Sequence, residues 1–172
     1  MAKYEDLIAG EDGLLATTGT AWTLGDRVSG DQILAPELLA GEPARLVPHL
    51  FARIGESFAK RIRPGDFIVA GLDFGVDATH RTIPLALKHA GIAAVIARSF
   101  GRFFLRNAIQ VGLPPLVVEE TAAIKDGDRL RVDIEAHIVA NRGSGDRYVV
   151  RNIDDETLAI LRAGGVGEAT HR

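Results

Sequence analysis

The chain has 172 residues, 47% of them hydrophobic and 25% charged, with a formal net charge of -3 and no cysteine. That length makes one domain with one sizeable core, and the composition is that of an ordinary globular protein, neither disordered nor membrane-like. The charge gives no general attraction to phosphate backbones, so nucleic acid is not an expected partner, and the missing cysteines exclude disulfides, zinc-thiolate sites and an iron-sulfur cluster held by this chain's own thiolates.

Residues 1–14 carry Glu5, Glu11 and Asp12 where a signal peptide needs a basic and then an apolar stretch, and no apolar run approaches a bilayer span. The expectation is a cytoplasmic protein with no membrane partner. Residues 1–20 lack a sustained period and end in Thr17-Thr18-Gly19-Thr20, which reads as an N-terminal arm. A short strand over 21–24 leads to the turn Gly25-Asp26. The stretch 29–48 contains Pro36, Pro43 and Pro48 with Gly30 and Gly41, so loop is expected through much of it. From 48 to 61, Leu50, Phe51, Ile54 and Phe58 fall at helical spacing on one face.

The centre carries the clearest pattern. Apolar strands are predicted over 67–70 and 94–97, with a helix over 84–90 between them, closed by Gly91; a second helix over 100–111 turns Phe103, Phe104, Ala108 and Val111 to the core. Gly112-Leu113-Pro114-Pro115 breaks that helix before a strand over 116–118, giving a parallel βαβαβ order with right-handed crossovers. After the turn Asp126-Gly127-Asp128, short segments over 130–134, 136–140 and 148–151 predict antiparallel strands, and a last helix over 154–163 starts at Asp154 and stops at Gly164-Gly165. The fold class is α/β: one domain over 21–166 with a parallel βαβαβ centre and antiparallel C-terminal strands, followed by a tail over 167–172.

Ligands of open α/β sheets collect at the carboxyl ends of parallel strands. Here that place is the long, glycine-punctuated connection from Gly71 to Thr82, where backbone N–H groups between Thr79 and Pro84 are suited to a carboxylate. A turn capped by Thr79 or Thr82 accounts for the same residues. Arg98, Arg102 and Arg106 recur every four residues, a cationic wall for a dicarboxylate or an acidic partner, or else a solvated face. His80 beside Arg81 suits a base or an anion ligand, and a surface role equally. His49, His89, His137 and His171 stand alone, so no metal site is expected in this chain. No dinucleotide fingerprint, phosphate loop or serine-nucleophile elbow is present.

The run from Gly71 through Pro84, the helix 85–90, Ala94-Val95-Ile96-Ala97-Arg98-Ser99-Phe100, Arg106-Asn107-Ala108-Ile109 and Gly112-Leu113-Pro114 together resemble the small subunit of 3-isopropylmalate dehydratase, equivalent to the swivelling β/β/α domain of aconitase. Upstream, Gly25-Asp26-Arg27-Val28-Ser29-Gly30-Asp31 through Pro36 is similar to the family's Gly-Asp-x-Val-Asn-Thr-Asp-x-Ile-x-Pro segment. The likeness runs in order from about Trp22 to Val166. It implies a hydro-lyase subunit that is inactive alone. A large partner subunit would carry a [4Fe-4S] cluster acting as a Lewis acid on the departing hydroxyl, while a base of the small subunit removes the neighbouring proton. The substrate would be a small hydroxy-carboxylic acid, by default 3-isopropylmalate of leucine biosynthesis, with its carboxylates held by arginines.

Where the family reads Asn-Phe-Gly-Cys-Gly-Ser-Ser-Arg-Glu-His, this chain reads Asp73-Phe74-Gly75-Val76-Asp77-Ala78-Thr79-His80-Arg81-Thr82. The serine that serves the family as base aligns with Ala78, the second serine with Thr79 and the substrate-binding arginine with His80. Three explanations stand: a dehydratase whose base is His80, ahead of Thr79 or Asp77; a paralogue without activity that assembles with or regulates a large subunit; and a stand-alone small-molecule binding domain. Under the first, Asp31, Arg81, Arg102 and Arg106 contact substrate, and Leu38 and Leu39 flank an apolar substituent or simply pack.

Overall fold

The computed structural model describes residues 15–166. Seven strands form one sheet in the order β4-β3-β2-β1-β5-β6-β7. They are β1 (Ala16–Thr23), β2 (Phe67–Val69), β3 (Ala94–Ala97), β4 (Pro115–Val117), β5 (Arg129–Asp133), β6 (Ile138–Asn141) and β7 (Arg147–Val149). β1 to β4 pair in parallel and β1, β5, β6 and β7 pair antiparallel. The fold class is therefore the expected one.

β2 and β3 are fully buried, and this is why they read as unbroken apolar runs rather than alternating ones. Ile68, Val95 and Ala97 face one apolar cluster with Phe74, Ile83, Leu87 and Phe104. Phe67, Val69, Ala94 and Ile96 face a second with Leu130, Val132, Val139 and Leu158. Alternation along each strand thus feeds two cores, one on each face of the sheet.

The arm expected over 1–20 is corrected at its end. Residues 16–20 are strand, pairing from Ala16 with Asp133 to Thr20 with Arg129, and the same strand then pairs Ala21, Trp22 and Thr23 in parallel with β2. One strand joins the two halves of the sheet. Gly19, a loop signal in the sequence, is there for close approach: a Cβ at that position would overlap the carbonyl of Gly65. The rest of the arm, 1–14, and the tail 167–172 lie outside the described residues.

The helix expected over 48–61 is also corrected. A 3-10 segment, Pro43–His49, is followed by turns and by the four-residue α2 (Phe58–Arg61). Pro48 lies inside that segment, and Phe51 adopts φ +57 while its N–H bonds the carbonyl of Ile33 at 2.8 Å. Leu50, Phe51 and Phe58 are buried while Ile54 is 40% exposed, so these residues reach the core through a chain that doubles back. Upstream, within the stretch read as loop, α1 (Gly30–Ile33) is fixed by a reciprocal capping box between Ser29 and Gln32.

The crossovers are α3 (Thr82–His89) and α4 (Arg102–Val111). The buried stripe of α4 is Phe104, Asn107, Ala108 and Val111, and Phe103, expected inside, is 48% exposed beneath the Arg106 guanidinium at 5.6 Å. It lies one position off the i, i+3, i+4, i+7 row. Arg98 precedes the helix, so the row of three guanidinium groups is reduced to two. The last helix, α5 (Asp155–Arg162), begins where expected, the Asp154 carboxylate accepting the Thr157 N–H at 2.7 Å.

Two polar devices, one of them buried, tie distant parts of the chain together. Asp66 accepts from Thr20 N–H (3.0 Å), Trp22 Nε1–H (2.9 Å) and Arg63 N–H (2.8 Å), so its buried carboxylate is satisfied by three donors. Beyond β7 the chain returns to β4: Arg151 N–H bonds the carbonyl of Val117 (2.9 Å), while Asn152 accepts from Val117 N–H (2.8 Å) and donates to the carbonyl of Pro115 (2.9 Å). The outer edge of β4 is therefore covered rather than left as a free template.

Candidate functional site

β1, β2 and β3 end side by side, and the loops that follow them are laced together. In the 71–81 loop, Leu72 N–H bonds the Asp26 carboxylate (2.8 Å), Gly75 N–H the carbonyl of Val28 (2.7 Å) and Phe74 N–H that of Ser99 (3.0 Å). In return Arg27 N–H bonds the carbonyl of Leu72 (2.6 Å), Gly30 N–H that of Val76 (2.9 Å) and Gly101 N–H that of Phe74 (2.7 Å). The long connection is thus a built structure at the carboxyl edge of the parallel strands.

The residue types in it meet specific demands. Gly75 has φ +80, and a Cβ there would come within 2.6 Å of the Phe104 Cβ, so helix α4 can lie directly against the loop. Phe74 and Phe104 pack edge-to-face at 5.2 Å between centroids. Arg27, Asp73 and Asp77 have φ of 55°, 55° and 61°. Short polar Asp is among the residues with a Cβ that tolerate that region, and each such residue still costs about 1–3 kcal/mol. Asp73 receives the Ser99 hydroxyl at 3.3 Å and pairs with Arg27 at 3.7 Å.

Ala78 is 1% exposed and its methyl belongs to the cluster with Phe74, Ile83 and Phe104, against Gly30. Its neighbours Asp77, Thr79, His80 and Arg81 are all exposed. Asp31, exposed in the first turn of α1, is brought beside them because Gly30 N–H is tied to Val76. Arg102 and Arg106 are exposed on α4, which approaches the same loop where Asn107 Nδ2–H donates to the carbonyl of Thr79 at 3.0 Å. Leu38 and Leu39 are half-buried and packed on the core, and the carbonyl of Leu39 accepts from the Thr82 hydroxyl at 3.1 Å.

The structure thereby places Asp77, Thr79, His80, Arg81 and Asp31 at one edge, with α4 alongside. The capped turn is not what forms. The N-cap of α3 is Arg81, with no side-chain bond, and the Thr82 hydroxyl is used on Leu39. Arg98 instead lines a 390 Å³ cleft with Thr23, Asp26 and Thr121, also at the carboxyl edge. Sequence reasoning missed Asn107, whose signal was a polar residue at a core position of an amphipathic helix. It also missed Asp26, which anchors Leu72.

With no cysteine in the chain, and no group of three or more His, Cys, Asp or Glu among the described residues placed to hold a metal ion, these residues do not fit an iron-sulfur cluster. Nor is any helix among them long and apolar enough to cross a membrane.

The mixed sheet is crossed by α3 and α4 with a laced loop at the carboxyl edge, and the Aconitase C-terminal domain model matches residues 56–121, the stretch that carries both helices and that loop. The chain is 42% identical over 151 residues to 3-isopropylmalate dehydratase small subunit 1 of Archaeoglobus fulgidus, covering 87% of this chain and 94% of that one. It is 38% identical over 149 residues to the methanogen homoaconitase small subunit of Methanothermobacter thermautotrophicus, covering 86% of each. The crystal structure of a 3-isopropylmalate dehydratase from Methanocaldococcus jannaschii matches with a TM-score of 0.85 at 36% identity, over 90% of this chain and 93% of that chain. The chain belongs to the 3-isopropylmalate dehydratase small-subunit family.

Proposed function

We propose that the chain is the small subunit of a cytoplasmic hydro-lyase, working with a large subunit that carries the [4Fe-4S] cluster, on a hydroxy-dicarboxylic acid, 3-isopropylmalate first among them. The observation that carries this reading is the likeness to small subunits named for that reaction over most of both chains, 87% of this chain against 94% of a relative. Without its own thiolates the chain alone is expected to be inactive. Its own part is to close over the substrate and move a proton. Arg81, Arg102 and Arg106 are cations suited to carboxylates, and Asp31 and Thr79 are polar groups at the same edge.

The methyl of Ala78 cannot accept a proton, and it is turned into the core. The proton acceptor is then an exposed neighbour. Imidazole titrates near neutral pH, which suits a general base, so His80 takes the role ahead of Thr79 and Asp77. The buried methyl also favours a second reading, a paralogue that assembles with a large subunit but does no chemistry.

The two part on one experiment. Combined anaerobically with its cognate large subunit and offered a panel of hydroxy acids, the chain is expected to yield the unsaturated acid, and the best substrate names the pathway. A tight complex without turnover, with activity gained by Ala78→Ser together with His80→Arg, would make it the paralogue.

A further inference from the structure

The buried stripe of α4 contains one residue that packing alone does not ask for. Phe104, Ala108 and Val111 are apolar, and Asn107 stands among them at 6% exposure, in a position where a leucine would fill the row. A primary amide in such a place is unfavourable unless it is hydrogen-bonded. Its Nδ2–H donates to the carbonyl of Thr79 at 3.0 Å, 28 residues away in sequence. Among the described residues this is the one side-chain hydrogen bond that reaches the backbone of 77–81.

The other hydrogen bonds of that stretch are main chain to main chain, Ala78 N–H to the carbonyl of Gly75 (2.9 Å) and Ile83 N–H to that of His80 (3.3 Å) among them. Asp77 sits at φ 61, Thr79 N–H makes a 3.1 Å bond within the loop to Asp77, and α3 starts at Arg81 without a side-chain cap. The carbonyl Asn107 holds belongs to the peptide joining Thr79 to His80. Holding that peptide plane restricts ψ of Thr79 and φ of His80, the two dihedrals that flank it, and so narrows the directions open to both side chains.

We infer that Asn107 is a positioning residue for the reaction: it touches no substrate, and it holds the Thr79–His80 peptide so that the two side chains meet the substrate in one geometry. The inference rests on the dehydratase reading, and its test separates the two. In the reconstituted two-subunit enzyme, Asn107→Leu keeps the apolar row and removes the donor. It is expected to lower kcat about 10- to 100-fold, with KM and the melting temperature of the chain little changed. Asn107→Gln, which keeps an amide on a longer stem, is expected to recover part of the loss.

Hydrogen exchange on the isolated chain supplies the second reading. In Asn107→Leu the amides of 79–82 should exchange faster while the β2 and β3 amides keep their protection. Wild-type kcat in Asn107→Leu overturns the inference, as does unchanged exchange at 79–82. If the wild-type pair itself shows no turnover, the dehydratase reading fails and with it the catalytic role. Exchange then decides whether Asn107 still holds the loop.

Discussion

The antiparallel half of the sheet and the exposed stretch 77–81 at the carboxyl edge of the parallel half use polar residues in opposite ways. In the antiparallel half they answer the chain's own backbone. Asn141 accepts from Gly143 and Ser144 N–H groups and donates to Asp128, Asn152 fastens the return strand to β4, and Asp154 caps α5. Burial there raises the pKa of the Tyr148 hydroxyl, with Asp146 adding to the effect, and the bond to Thr157 lowers that of the Asp154 carboxyl. At the carboxyl edge of the parallel half the backbone is just as fully tied, yet the side chains of Asp77, Thr79, His80 and Arg81 have no hydrogen bond or ion pair within the chain among the described residues. Polar groups placed on an ordered loop and left without an internal partner are available to a ligand; those consumed in closure are not.

The strongest way to break this contrast is at His80. In the reconstituted enzyme, His80→Ala should lower kcat/KM about 10²- to 10⁴-fold, the usual contribution of a positioned acid-base group. The melting temperature should hold, since exposed substitutions usually stay within about 0.5 kcal/mol. Arg147→Ala, equally exposed on β7, should leave turnover alone. Full activity in His80→Ala would move the base to Thr79 or Asp77.

The same contrast explains what could be read from the sequence. Strands β2 and β3 were legible because burial on both faces leaves unbroken apolar runs, and α3 and α5 because Gly91 and Asp154 punctuate them. Residues 16–20 were not: Gly19 interrupts a run whose β-branched threonines suit a strand, and only the approach of Gly65 shows why a glycine belongs there. The false helix over 48–61 had the right spacing, but its apolar residues reach the core through a left-handed turn at Phe51, which periodicity cannot register. In the site, the loop was found from its place after β2. That Ala78 faces inward while its neighbours face out depends on contact with Gly30, 48 positions earlier in the chain, which no local pattern encodes.

A smaller effect is expected at the closure. Asn152→Ala removes an acceptor for Val117 N–H and a donor to Pro115, exposing the edge of β4. A loss of about 1–3 kcal/mol is expected, seen as a lower urea midpoint at constant slope, with kcat unchanged in the reconstituted enzyme. A loss of activity larger than the loss of folded protein would mean that closure and loop are coupled, and the two halves would no longer be separable.

The smallest effect is a pH dependence confined to the antiparallel half. The Asp154 carboxyl titrates below its ordinary value of 3.8 because its ionised form accepts the Thr157 N–H at the start of α5. A depressed pKa in the folded state means that the unfolded chain takes up the proton first as pH falls. The stability this cap adds is therefore complete above 3.8 and drains away as pH drops through the lower folded value. Melting curves of the wild type and Asp154→Ala should accordingly differ most near neutral pH and converge in acid. An amide at 154 caps without titrating, so Asp154→Asn should keep most of the neutral-pH stability and lose less of it in acid. Parallel curves for the wild type and Asp154→Ala across the acid range would show that the side chain contributes there without its charge.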